Sequence, residues 1–211
     1  EAIRRVGEDF QKRKLRKALL VMATGTGKTR TVIALIELLQ KCNWIKRVLF
    51  LADRNALLTQ AGNAFKEHLP NTSALNIATV NDDTTSRIVL STYPTMMNCI
   101  DEAKGGNRRF SPGHFDLIVI DEAHRSIYQK YRAIFESFDS LLLGLTATPR
   151  SEVDRNTYQL FELEKGVPTY YSELAQAVTD GYLVPPRAHS VPLKFQREGV
   201  TYNELSEEEQ L

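Results

Sequence analysis

The sequence predicts an α/β fold in which helices flank a mostly parallel sheet. Short apolar runs alternate with helical patterns along the chain, an order that is typical of βαβ units. The run Leu117-Ile118-Val119-Ile120 is apolar on both faces, as expected of a central strand in a parallel sheet. The length of 211 residues allows one such domain and a further segment.

The apolar runs predict strands at 18–23, 48–52, 75–80, 88–91, 117–120 and 141–146. Helical patterns predict helices at about 29–41, 55–68, from Pro94 onward, 128–137 and 172–179. Helix 29–41 is apolar nearly all round, which favours burial. Ser172 and Gly181 are placed as the caps of the last helix. Residues 104–114 are rich in Gly and Pro and predict a loop.

Composition and charge exclude several classes of protein. Apolar residues make up 42% and charged residues 25% of the chain, which argues against a disordered or fibrous protein. Lys and Arg number 27 against 26 Asp and Glu, so net charge neither requires nor excludes a nucleic-acid partner. Two cysteines form no disulfide framework, and no apolar run reaches the ~18 residues of a membrane helix. We therefore expect a cytoplasmic protein without membrane contact.

The two ends of the chain differ from its centre. Residues 1–17 are rich in Lys and Arg, which predicts a solvated helix face, with nucleic-acid binding as the alternative. Composition shifts after residue 150, so we predict a domain at 1–150 and an appended segment at 151–211. Because the sequence begins with Glu1 rather than Met, we expect a fragment of a larger protein.

The segment Met22-Ala23-Thr24-Gly25-Thr26-Gly27-Lys28-Thr29 lies between a predicted strand and a predicted helix and matches a P-loop. A phosphate needs closely approaching backbone N–H groups, which Gly25 and Gly27 allow, and the helix N-terminus adds its positive dipole end. Lys28 is expected to reach the β and γ phosphates, and the Thr29 hydroxyl to ligate Mg²⁺. Met22 replaces the first glycine of the pattern, which serves the turn more than the phosphate contact. The predicted nucleotide-binding residues are Thr24, Gly25, Thr26, Gly27, Lys28 and Thr29.

The second candidate motif, Asp121-Glu122-Ala123-His124, directly follows the central apolar strand. Ligands of open α/β sheets bind beyond the carboxyl ends of the strands, so these side chains are expected beside the phosphates. Asp121 would hold Mg²⁺, and Glu122 would orient and deprotonate the attacking water. The alternative, an acidic helix N-terminus, is disfavoured by the P-loop upstream.

Thr146-Ala147-Thr148 follows the last predicted strand, and the order of the three motifs resembles the first RecA-like motor domain of helicase superfamily two. These are the DEAD/DEAH-box helicases and related translocases, whose P-loop NTPase fold binds ATP. The resemblance implies that Lys28 and Glu122 are catalytic and that Thr29 and Asp121 bind Mg²⁺. It also implies that His124, Thr146 and Thr148 couple nucleotide state to nucleic-acid contact. The glutamine that reads adenine in such families is expected just before Glu1.

Two further stretches resemble strand-contacting motifs of this superfamily. They are Leu51-Ala52-Asp53-Arg54 and Ser91-Thr92-Tyr93. The resemblance implies that Arg54 and Thr92 contact the phosphodiester backbone, which positions a strand without reading its sequence. A surface arginine at a helix start, and a purely structural threonine, are the alternatives.

A narrower resemblance extends into the tail. The strings 121–128, 170–185 and 197–206 resemble the motor part of the R subunit of type I restriction-modification enzymes. This implies an ATP-driven translocase on double-stranded DNA, with the modification and specificity subunits as partners and a nuclease domain in the full-length protein. The nuclease motif, the second RecA-like domain and its arginine finger are absent from this sequence. We therefore expect the chain alone to hydrolyse ATP poorly and not to cleave DNA.

Two other functions stay open on the sequence. One is a different superfamily-two enzyme: a type III restriction subunit, a DNA repair helicase or an RNA helicase. The other is a non-catalytic, nucleotide-gated interaction module, although Lys28, Thr29, Asp121 and Glu122 form an intact chemical set.

Overall fold

The computed structural model describes residues 1–78, 85–101, 103–104, 107–123, 125–148, 153 and 155–185. The strands are β1 (Lys17–Met22), β2 (Val48–Ala52), β3 (Ala74–Asn76), β4 (Ile88–Thr92), β5 (Ala103–Lys104), β6 (Asn107–Arg108), β7 (Leu117–Ile120), β8 (Leu141–Thr146) and β9 (Tyr170–Ser172). The helices are α1 (Ala2–Gln11), α2 (Lys28–Lys41), α3 (Asn55–His68), α4 (Tyr93–Asp101), α5 (Arg125–Ser137), α6 (Arg155–Leu160) and α7 (Leu174–Thr179).

Seven strands form one sheet in the order β3-β4-β2-β7-β8-β1-β9, and every pairing in it is parallel. This confirms the predicted α/β class. In register, Leu51 of β2 lies opposite Ile120 of β7, and Val21 of β1 opposite Thr146 of β8. The carboxyl ends of these four strands therefore meet at one edge of the sheet, where the predicted motifs begin.

Helices cover both faces of the sheet. Alternate strand residues such as Leu20, Phe50 and Val119 join α1, α2 and α3 in one buried core. Their neighbours Leu19 and Leu49 join α4, α5 and α6 in a second core on the opposite face. Burial on both faces explains why the central strands are continuously apolar.

Part of the segment after residue 150 packs onto this sheet. Phe161 follows α6 and is 1% exposed. It lies against Gly144 of β8, so that a Cβ atom added to this glycine would be only 2.7 Å from Cε2 of Phe161. β9 pairs with β1 from Leu20↔Tyr170 to Met22↔Ser172. Residues 149–152 lie outside the described parts of the chain, and the domain division near residue 150 stays a prediction.

Most predicted elements are confirmed. Strands β2, β7 and β8 and helix α3 have the predicted bounds. β1 and α2 each begin one residue earlier than predicted, and α4 begins at Tyr93. The predicted strand 75–80 is present as β3, whereas residues 79–80 lie outside the described ranges. Gly181 follows α7 with φ +75°, as its predicted role at the helix end requires.

Three local predictions were wrong. Helix α2 is not buried all round, because it lies on one face of the sheet and leaves Leu38 46% exposed to solvent. The predicted loop 104–114 contains β6, which pairs antiparallel with β5, because strand pairing satisfies backbone groups whatever the side chains of the segment. Ser172 caps no helix: it ends β9, and α7 begins at Leu174 with Glu173 as the N-cap. Parallel pairing with β1 outweighs the local capping pattern there.

Several basic residues near the N-terminus pair with acidic residues three or four positions away, in or beside α1. Arg4 contacts Glu1 at 2.6 Å and Glu8 at 3.1 Å, and Arg13 contacts Asp9 at 3.3 Å. The opposite side of α1 is buried in the core. This arrangement fits the solvated-face interpretation of the N-terminal charges. Within the described residues, no helix has the length and apolar character required to cross a membrane.

Candidate nucleotide-binding site

The loop between β1 and α2 is shaped by its two glycines. Gly25 has φ +85° and Gly27 has φ +84°, in the left-handed region that costs residues with a Cβ free energy. Thr26 closes the turn, since its hydroxyl donates to the Ala23 carbonyl at 2.6 Å. Gly27 is the N-cap of α2. The loop thus leads directly into a helix N-terminus, where backbone N–H groups face outward and favour an anion.

Lys28 folds back over this loop. Its Nζ atom donates to the backbone carbonyl of Met22 at 3.3 Å. Because this hydrogen bond uses the backbone carbonyl, it does not depend on which side chain residue 22 carries. The Met22 side chain is 5% exposed and lies in the same core as residues of α2. The replacement of the usual first glycine by methionine is therefore accommodated by burial of its side chain.

The acidic pair is held between the ends of two other strands. The Asp121 N–H donates to Leu51 O of β2 at 2.9 Å, and the Ala123 N–H donates to Leu145 O of β8 at 2.7 Å. Between these anchors Glu122 adopts φ +53°, and its N–H donates to Asp121 Oδ1 at 3.1 Å. Both acidic residues are half-buried. A non-glycine residue in the left-handed region is uncommon and is concentrated at functional sites.

The electrostatics of the pair favour a cation. Burial raises the pKa of Asp121, the negative charge of Glu122 raises it further, and the Glu122 N–H and the Lys28 ammonium partly offset the rise. Within the described ranges, no cluster of three His, Cys, Asp or Glu residues could hold a metal by itself. A carboxylate with a nearby threonine hydroxyl fits Mg²⁺, which needs few protein ligands when phosphates supply others.

An open cavity of about 490 Å³ brings the two motifs together. Its lining includes Thr24, Gly25, Gly27, Lys28, Thr29, Asp121 and Glu122. Thr26 is not part of this wall, consistent with its hydroxyl closing the turn. Seven predicted residues from distant parts of the chain therefore share one cavity.

Helix α3 supplies a wall of this cavity that the sequence analysis missed. Leu57, Gln60, Asn63, Ala64 and Glu67 line it. These residues recur at spacings of three and four, the spacing of one helix face. That periodicity was the available indication, but no chemical motif distinguishes this face from an ordinary solvated one.

Two of the predicted coupling residues, Thr146 and Thr148, lie at the end of β8 and do not line this cavity. Thr146 ends β8, is 1% exposed, and accepts the Thr148 N–H through its Oγ1 atom at 3.1 Å. Ala147 between them lines a neighbouring, largely apolar cavity of about 410 Å³, together with Thr24 and Leu174. His124 lies outside the residues that the structure describes.

The predicted DNA contacts lie at the same edge of the sheet but not in the nucleotide cavity. Arg54 precedes α3, and its side chain is 81% exposed, with Nε 3.9 Å from Asp53 Oδ2. Thr92 ends β4, and its Oγ1 lies 2.9 Å from Thr95 Oγ1 and accepts the Thr95 N–H at 3.4 Å. The Thr92 hydroxyl thus contacts the first turn of α4, and the guanidinium of Arg54 is accessible.

A parallel sheet with a P-loop after β1, an acidic pair after β7 and a threonine turn after β8 defines the RecA-like motor domain of superfamily-two helicases. The family model described as "Type III restriction enzyme, res subunit" matches residues 1–151. The chain belongs to this family.

Comparison with known proteins shows that the chain is similar to subunits of type I restriction enzymes. It is 35% identical over 188 residues to the type I restriction enzyme EcoAI endonuclease subunit of Escherichia coli, a match that spans 87% of this chain and 22% of that protein. The fragment structure of a protein described as the HsdR subunit of a type I restriction enzyme from Vibrio vulnificus YJ016 is 29% identical, with a TM-score of 0.60. That match covers 85% of this chain and 30% of that chain.

The fold extends to more distant helicases. The Hef helicase domain of Pyrococcus furiosus is 22% identical, with a TM-score of 0.61 over 88% of this chain and 41% of that chain. The chain thus resembles the motor region of type I R subunits, and its fold is of the nucleotide-binding superfamily-two type. This chain spans about a fifth of the length of the EcoAI endonuclease subunit.

Proposed function

We propose that this chain is the ATP-binding part of a motor that couples ATP hydrolysis to translocation along double-stranded DNA. The motor would belong to the R subunit of a type I restriction enzyme. The observation that carries the proposal is the single cavity that joins Lys28 to Asp121 and Glu122. Residues 1–150 would form the first motor domain, and residues 151–211 would lead toward a second.

The nucleotide would occupy the cavity with its phosphates on the loop. Backbone N–H groups of residues 24–27 and the Lys28 ammonium would bind the phosphate oxygens, and Thr29 and Asp121 would hold Mg²⁺. Mg²⁺, when bound, supplies positive charge that neutralises the phosphates. The Glu122 carboxylate would orient the attacking water and accept its proton.

Arg54 and Thr92 would contact the phosphodiester backbone at the carboxyl edge of the sheet, which fits sequence-independent tracking of DNA. His124, Thr146 and Thr148 would link that contact to the nucleotide. The modification and specificity subunits would select the DNA, and a nuclease domain of the full-length protein would cleave it. A cytoplasmic location and weak ATPase activity of this chain alone belong to the same proposal.

The proposal is tested by ATP turnover of the protein in its full natural length, measured with Mg²⁺ and either double-stranded DNA or RNA. We expect double-stranded DNA to stimulate turnover, and Glu122→Gln to lower kcat by about 100-fold or more because the general base is lost. Glu37→Gln is the matched control, since Glu37 lies on α2 in an exposed pair with Lys41 at 2.7 Å. It should leave kcat unchanged.

Two outcomes would contradict the proposal. Stimulation by RNA alone would favour an RNA helicase. Equal turnover of the wild type and Glu122→Gln in the presence of DNA would favour a non-catalytic, nucleotide-gated module.

A further inference from the structure

Tyr93 connects the β4–α4 turn to the acidic pair. It begins α4 directly after Thr92, and its side chain is fully buried. Its hydroxyl donates to the backbone carbonyl of Asp121 at 3.2 Å. The other hydrogen bonds described above for residues 121–123 have strand backbone carbonyls or the Asp121 carboxylate as their acceptors. Tyr93 therefore supplies a side-chain contact from a separate helix.

The bonded atom determines what this contact can do. The Asp121 carbonyl belongs to the peptide plane that joins Asp121 to Glu122. Holding its oxygen fixes the orientation of that plane, and hence the φ angle of Glu122, because a peptide unit is rigid. Glu122 has φ +53°, a conformation that surrounding contacts must maintain.

The position of the tyrosine ring is itself fixed by packing. Its ring stacks on that of Tyr131 in α5, with centroids 5.1 Å apart and planes at 19°. Burial raises the pKa of the Tyr93 hydroxyl well above its ordinary value, and the negative charges of Asp121, Asp53 and Glu122 raise it further.

We propose that Tyr93 is a positioning residue that holds the Asp121–Glu122 peptide and so aims the Glu122 carboxylate. The consequence for catalysis rests on the proposed function, whereas the effect on the peptide does not.

Tyr93→Phe tests the proposal because it removes one oxygen and keeps the stacked ring. In the protein of full natural length, we expect kcat for DNA-stimulated ATP hydrolysis to fall roughly threefold to tenfold, the equivalent of one hydrogen bond. The KM for ATP should stay unchanged, because the phosphate-binding loop is untouched. Tyr158→Phe is the matched control, since Tyr158 is a buried tyrosine (1% exposed) of the same core but lies on α6. It should leave kcat unchanged.

Amide hydrogen exchange gives a second readout that needs no nucleotide. We expect the Glu122 and Ala123 amides to exchange several-fold faster in Tyr93→Phe than in the wild type or Tyr158→Phe. The proposal would be overturned if Tyr93→Phe kept both the exchange rates and the kcat of the wild type. It would also be overturned if Tyr93→Phe and Tyr158→Phe had equal effects. If the wild type hydrolyses no ATP, the proposed function fails, and the exchange rates still decide the role of Tyr93.

Discussion

Asp121 and Glu122 occupy positions that are unfavourable for folding in the absence of a ligand. Burial and the neighbouring Glu122 raise the pKa of Asp121, so its charged form is destabilised relative to the unfolded chain. Glu122 adds a left-handed backbone conformation. Both features are explained if the site is adapted to bind a cation and a reactive water rather than to stabilise the fold.

Asp121→Asn should therefore stabilise the chain while removing activity. At neutral pH we expect the free energy of unfolding to rise by roughly 1 kcal/mol, because a desolvated charge beside Glu122 is lost. Since the folded pKa is raised, the difference is fully present above that pKa. It disappears as the pH falls below the ordinary value of 3.8, where aspartic acid is neutral in both states. Denaturant titrations at several pH values measure it, and a less stable Asn variant at neutral pH would contradict the argument.

At the scale of elements, the contact between β8 and Phe161, the residue that follows α6, depends on the absence of a side chain at Gly144. Gly144 lies in β8 and its Cβ position is filled by the Phe161 ring and by Leu19 Cδ1, 2.9 Å away. Close packing leaves no space for even one methyl group. The glycine is needed here for space rather than for an unusual φ angle.

Gly144→Ala should lower the free energy of unfolding by about 1–3 kcal/mol, because the Phe161 ring must move out of a well-packed core. Gly7→Ala is the matched control: Gly7 lies in α1, nothing lies within 4 Å of its Cβ position, and alanine favours helix. That variant should be neutral or slightly more stable. Urea titrations compare the two, and equal midpoints would show that Phe161 packs elsewhere.

At the scale of the whole molecule, the sheet and its core continue past the segment that matches the family model. That match ends at residue 151, yet β9 covers the outer edge of β1, and the Ala23 N–H donates to Ser172 O at 2.9 Å. Tyr158 and Phe161 complete the core beside α4 and α5. The P-loop strand is therefore supported by residues from the segment that follows.

A chain that ends at residue 151 should be less stable than one that ends at residue 185. We expect a loss of several kcal/mol, because two large aromatic side chains leave the core and β1 becomes an exposed edge strand. The midpoints of denaturant unfolding for the two chains measure the difference. Equal midpoints would indicate that residues 1–151 fold as an independent unit.

Local sequence determined the parts of this protein that depend on nearby residues. Gly25 and Gly27 favour a loop with left-handed backbone conformations, because a residue with a Cβ atom would be strained at either position. Runs that are apolar on both faces specify central strands because only a covered sheet buries them. The place of the acidic pair beside the P-loop could be predicted because it follows such a strand, and the carboxyl ends of parallel strands share one edge.

Tertiary structure alone decided the remaining features. Ser172 looks like a helix cap in sequence but ends a strand, because pairing with β1 satisfies its backbone. The α3 wall of the cavity and the contact from Tyr93 to Asp121 join residues that are far apart in the chain. A tyrosine hydroxyl carries no local indication of the carbonyl it will meet. Such contacts depend on how strands align across the sheet, which no short stretch of sequence encodes.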